Sequence, residues 1–97
     1  MTHYRDLIAA DRRLVMLRAM AEVPDYALRE TVLIRLLEGE RLALGQTELR
    51  EEFTWLADRG LITVEYHDDI QVGRITPRGL DAAAGRVAVD GVARPRP

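Results

Sequence analysis

Apolar residues recur every three to four positions through "YRDLIAADRRLVMLRAMAE", where Leu7, Ala10, Leu14, Leu17 and Ala21 form one stripe. That spacing predicts a long amphipathic helix from Tyr4 to Glu22, with Asp6, Asp11, Arg12, Arg13 and Arg18 mostly on its solvated side. Pro24 disfavours helical geometry at Val23, so the helix stops there, and Asp25 is placed to cap the next one. A second helix is expected from about Ala27 to Glu40. Leu28, Val32 and Leu36 lie on one line and Leu33 and Leu37 on the adjoining one, a face broad enough to pack between two other helices. Gly45 then opens a third helix: Leu44 and Leu49 fit a hydrophobic staple, and Glu48 falls at N3 beside the helix dipole. Leu49, Phe53 and Leu56 give its buried line, leaving Gln46, Thr47, Arg50, Glu51, Thr54 and Asp58 outward or flanking. Gly60 ends it.

After Gly60 the period changes to two. In "LITVEY", Ile62, Val64 and Tyr66 share one side and Leu61, Thr63 and Glu65 the other; "HDD" turns the chain and "IQVGRIT" returns it. This predicts a two-stranded hairpin. Thr76 and Pro77 are an N-cap and N1 pair for a short closing helix through "RGLDAAAGR". Residues 87–97, with prolines at 95 and 97, have little periodicity and read as an extended or mobile tail. The expected fold class is therefore mostly α with a small β-hairpin (α+β). Its architecture is a winged helix-turn-helix domain over 1–86 with three helices, a two-stranded wing and a short C-terminal helix.

The 97-residue length and 47% apolar composition suit one domain with a modest core. There is no cysteine, so disulfides and thiolate zinc sites are excluded. No apolar run reaches membrane-spanning length, and the charged N-terminus is unlike a signal peptide, so the expectation is a cytoplasmic protein. The net charge of −2 supplies no global attraction to nucleic acid. All fourteen basic residues are arginine, spread along the whole chain, which fits a GC-rich coding bias better than a recognition patch.

The segment "FTWLADRGLITVEY" resembles the junction between recognition helix and wing in bacterial regulators of the ArsR, MarR and PadR kinds. "ITPRGLDAA" resembles their return strand and closing helix. Together "ADRRLVMLRAMAEVPDYALRE", "WLADRGLI", "ITPRGLDAAAGR" and "VDGVARPRP" resemble a small winged-helix family of Mu-like phages and prophages. That resemblance implies a phage-encoded transcriptional regulator and supplies no catalytic residues.

A DNA-binding reading places Gln46, Thr47, Arg50 and Thr54 toward base edges, with Arg50 able to pair with guanine and Gln46 with adenine or a phosphate. Arg41 and Arg74 would hold flanking phosphates, with Arg12 and Arg13 as further candidates. Charge argues against it: from Gln46 to Arg59, four acidic residues face two arginines, and Asp68 and Asp69 would meet phosphates with like charge at the wing tip. The alternative is a protein-interaction module of phage assembly or DNA packaging that binds a basic partner. Two histidines and no cysteine leave no expected metal site, and no cofactor is expected. With no serine and no cysteine, nucleophilic catalysis has no convincing candidate, so a binding protein is expected rather than an enzyme. Trp55 is expected to cover the junction between the third helix and the hairpin. The stripe Leu7, Leu14 and Leu17 suggests a homodimer through the first helix.

Overall fold

The N-terminal stripe forms α1, Tyr4–Glu22, in the computed structural model, which describes residues 3–96. Its second half is buried on more than one side, with Leu14, Met16, Leu17, Ala19 and Met20 all inside. After Val23 the chain turns sharply: the Tyr26 amide donates to the Val23 carbonyl (3.0 Å), and Tyr26 adopts a left-handed φ of 59°.

The next segment departs from expectation. Ala27–Arg29 form a short strand, β1, and the helix α2 begins only at Glu30, running to Gly39. The expected capping role of Asp25 is therefore not used: the N-cap of α2 is Arg29, without a side-chain bond. Locally, "ALRE" is good helix sequence; what overrides it is pairing with a strand more than forty residues away, which satisfies backbone groups that a first helical turn would leave free.

The chain leaves α2 through Arg41, whose φ of 62° lets the Leu42 amide reach back to the Leu37 carbonyl at 2.8 Å. This is a position where glycine is the stable choice. Helix α3 spans Gln46–Asp58 and closes at Gly60 with φ 74°. Strands β2, Ile62–His67, and β3, Ile70–Ile75, flank the two-residue turn at Asp68 and Asp69. Helix α4, Pro77–Ala84, has the Thr76 cap, whose Oγ1 accepts from the Gly79 amide at 3.0 Å.

The sheet is antiparallel, three-stranded, in the order β1-β3-β2. Ala27, Leu28 and Arg29 stand opposite Arg74, Gly73 and Val72. The result is an α+β unit of four helices and one small sheet, with the core between the helices and one sheet face. Phe53 packs directly on β3 because position 73 is glycine; a Cβ there would lie 3.0 Å from the ring.

The tail is extended but anchored. Val92 is buried in the core, the Ala93 amide donates to the Ala10 carbonyl at 3.0 Å, and Arg13 Nη1 donates to the Gly91 carbonyl at 3.0 Å. Val87, Val89 and Ala93 pack against the same core, partly buried, so the segment's apolar pattern is short and shallow. Pro97 lies outside the described residues.

The expected dimer stripe is divided by the same packing. Leu14 and Leu17 are only 5% and 0% exposed within the chain's own core, so neither is available to a second copy; Leu7 is 61% exposed. The long stripe serves the core, because α1 packs against α4, α2 and the sheet.

Candidate interaction surface

Helix α3 divides its charges between inside and outside. Gly45 starts it, with its amide donating to the Glu48 carboxylate at 3.3 Å. Leu49, Glu52, Phe53 and Leu56 face inward, so a carboxylate sits on the apolar line. Gln46, Thr47, Glu48, Glu51, Thr54 and Asp58 are exposed.

Arg50, the one arginine in the first half of α3, is held by its own molecule. Its Nε and Nη2 donate to the two Glu30 carboxylate oxygens at 2.9 and 2.8 Å, and Nη2 also donates to the Asp69 carbonyl at 2.8 Å. Glu30 is completely buried and accepts a further bond from the Gln71 amide at 2.6 Å. Arg50 holds this carboxyl below the usual carboxylate range, with the Gln71 amide adding to the effect and burial opposing it. The guanidinium in turn is stabilised in its charged form by Glu30. One side-chain cluster thus ties the start of α2, the middle of α3 and the hairpin turn together. The guanine contact expected of Arg50 would have to compete with this bidentate pair.

Arg74, expected to hold a phosphate, is similarly occupied. Nε donates to Glu65 at 3.0 Å, and Nη1 donates to the Asp25 carbonyl at 2.8 Å and lies 3.5 Å from its carboxylate. Arg74 and then His67, 3.2 Å from the other oxygen, lower the pKa of Glu65. Thr54 is exposed, but its hydroxyl donates to the Arg50 carbonyl at 3.1 Å. Gln46 and Thr47 are exposed at the start of α3. Arg41 is exposed and has no side-chain partner among the described residues.

Arg12 and Arg13, also weighed as phosphate contacts, converge on Glu52 from α1. Arg13 Nε lies 2.9 Å from it and Arg12 Nη1 3.6 Å, while Arg12 Nε donates to the Leu42 carbonyl. Trp55 is enclosed between two guanidiniums, Arg13 and Arg59, at 3.8 and 3.6 Å from the ring centroid. Gly91 of the tail lies against the same ring, where a Cβ would collide with it. Trp55 therefore covers the junction of α1, α3 and the tail, not that of α3 and the hairpin.

The surface left by these pairings is acidic. Glu48, Glu51 and Asp58 on α3 and Asp68 and Asp69 at the hairpin tip have no ion-pair partner among the described residues. Tyr66 stands beside them, 67% exposed, with its hydroxyl accepting from Gln71 Nε2 at 2.8 Å. The described residues contain no group of three His, Cys, Asp or Glu side chains that would hold a metal ion, and no helix long and apolar enough to cross a membrane.

Sequence reasoning overlooked Glu30 and Glu52, although both left a signal. Glu30 precedes Leu33 and Leu37 by three and seven residues, and Glu52 follows Leu49 by three and precedes Leu56 by four, so each lies on a buried line. A carboxylate there requires a buried cation. Which arginine supplies it could not be read from spacing.

No protein-family model and no solved structure matches the chain. Two relatives do. An uncharacterized protein of Haemophilus influenzae is 32% identical over 78 residues, covering 79% of this chain and 76% of its own length. The uncharacterized protein gp26 of Escherichia phage Mu is 38% identical over 92 residues, covering 95% of both chains. With identity at that level sustained from end to end, the chain belongs to the same phage family as Mu gp26.

Proposed function

We propose that the protein is a winged helix-turn-helix module that acts by binding, and that α3 and its hairpin engage a basic segment of a protein partner. The element order, helix, strand, two helices, hairpin and a closing helix, supports the winged-helix reading. The observation that carries the partner class is charge: five unpaired carboxylates occupy the surface of α3 and the hairpin tip, while Arg50 and Arg74 are already bound to Glu30 and Glu65. A helix entering the major groove passes between two rows of phosphates and would bring these carboxylates against them.

The test is fluorescence anisotropy with two probes, a labelled arginine-rich peptide and a labelled mixed-sequence duplex, each across a salt series. The peptide is expected to bind, more weakly as salt rises, and the Glu51→Arg/Asp58→Arg double variant to lose about tenfold in affinity. Duplex binding by the wild type that exceeds peptide binding at the same salt would sink the proposal.

A second reading, a transcriptional regulator that binds double-stranded DNA, is favoured by Arg41. This arginine occupies a left-handed helix-terminal position and extends an unpaired guanidinium near the start of α3. Arg41→Gly is expected to stabilise the fold by about 1 kcal/mol, because glycine adopts that backbone without steric cost. Denaturant unfolding measures this. If the same variant also lowers duplex affinity and reduces the salt slope by about one, Arg41 is a phosphate contact. Gln46→Ala and Thr47→Ala test base contact; Arg50→Ala does not, since it also breaks the Glu30 pair.

A further inference from the structure

The chain after α4 is seated by few contacts. Gly85 ends α4 in the left-handed region, with φ 81°, and the segment 87–96 then passes over α1 and α3. Val92 is its one buried side chain, while Val87, Val89 and Ala93 are partly buried. Among the described residues, two hydrogen bonds tie the segment to the rest of the protein: the Ala93 amide to the Ala10 carbonyl, and Arg13 Nη1 to the Gly91 carbonyl, both at 3.0 Å. Asp90, Arg94 and Arg96 are exposed and have no ion-pair partner among the described residues.

The segment completes the enclosure of Trp55. Arg13 and Arg59 cover the ring with their guanidiniums, and Gly91 lies at its outer edge, against Cζ2 and Cη2. Position 91 makes two demands that glycine alone meets: a φ of 92°, and no Cβ, which would collide with the ring. The fit is therefore specific, yet it is small. A stretch with one buried side chain and two bonds to its surroundings has little to offset the entropy of ordering its backbone, and such stretches open at lower free energy than a packed core.

We infer that residues 87–96 form a strap that closes over Trp55 and opens as a unit of its own about Gly85, while the four helices and the sheet stay folded. Closed, the strap gives Arg13 a second acceptor beside Glu52, so one guanidinium clasps α1, α3 and the tail together. Open, it uncovers the edge of Trp55 and the recess that Val92 fills. Trp55 follows Glu51 by four residues and precedes Asp58 by three, so the uncovered edge adjoins the acidic side of α3. The strap thus controls an apolar patch next to the surface proposed for the basic segment, and its opening does not depend on that reading.

Trp55 is the sole tryptophan, so its fluorescence reports the strap directly. Gly91→Ala is expected to hold the strap open: acrylamide quenching of Trp55 should rise about twofold while circular dichroism remains that of a folded protein. Val92→Asp, which disfavours the recess by another route, should do the same. In the wild type, the Ala93 amide should exchange its hydrogen about a hundredfold faster than the Phe53 amide in the middle of α3. Exchange at Ala93 as slow as at Phe53, or loss of the helical signal in both variants, would make the tail part of one cooperative core and overturn the inference. Quenching unchanged from wild type in both variants overturns it as well.

Discussion

Glu30→Ala is expected to destabilise the fold by about 3 kcal/mol or more, seen as a lower denaturant midpoint. The carboxylate accepts two bonds from Arg50 and one from the buried Gln71 amide, and it is wholly inaccessible to water. Removing it leaves that amide without an acceptor and a cavity among α2, α3 and the hairpin turn. Arg50→Ala is expected to be comparably damaging, because it leaves the carboxylate buried without its counter-charge. The double variant should cost clearly less than the sum of the two singles; additive losses would show that the pair is not coupled in the folded protein. Because the same cluster fixes α3 against the hairpin, peptide binding should fall with it.

The pair also sets an acid limit. Arg50 depresses the Glu30 pKa in the folded state, so the folded form binds its proton less readily than the unfolded chain does. Its contribution is fully present above the unfolded value and is lost as pH falls through the depressed folded value. Stability of the wild type should therefore decline as pH drops below about 4. Glu30→Gln, which has no proton to gain, should start less stable and decline less steeply there. An equally steep acid decline in both proteins would assign it to other carboxylates.

Gly79→Ala is expected to cost about 3 kcal/mol, and to prevent α4 from seating if the backbone cannot move. A Cβ at that position would collide with the Leu61 carbonyl oxygen and lie 2.6 Å from the Ile75 side chain. The first neighbour is backbone at the base of the hairpin, so no side-chain rotation relieves it. Gly39→Ala provides the control: nothing lies within 4 Å of its Cβ, and a helical alanine should stabilise by about 0.5–1 kcal/mol. Thermal unfolding of the two variants should move in opposite directions, and equal shifts would reject the close-approach argument.

Gly79 gives a physical content to "ITPRGLDAA". Thr76 caps the first turn of α4 through the Gly79 amide, its own hydroxyl donates to the Gly60 carbonyl at 2.6 Å, and the missing side chain at 79 lets the helix lie against Leu61. Threonine and glycine three residues apart fasten the hairpin's base to the closing helix. The motif is structural and carries no information about a partner.

What the sequence determined by itself is what short range controls. The stripe of α1, the Gly45 start and glycine stop of α3, the alternation of β2 and the Thr76-Pro77 start of α4 all depend on neighbours within one or two turns. The acidic balance of α3 was legible for the same reason, since counting charges needs no fold. Tertiary structure decided the rest. Ala27–Arg29 became a strand because β3 offered it a ladder, and the tail found a place because Trp55, Arg13 and Ala10 lie together only after α1 and α3 pack. Above all, it decided which arginines are free. Arg50 and Arg74 look like ligand-binding groups in one dimension, yet a buried carboxylate from α2 claims one and a cross-strand glutamate the other. A desolvated carboxylate needs its cation more than a solvated surface does. That is why α3 presents an acidic face.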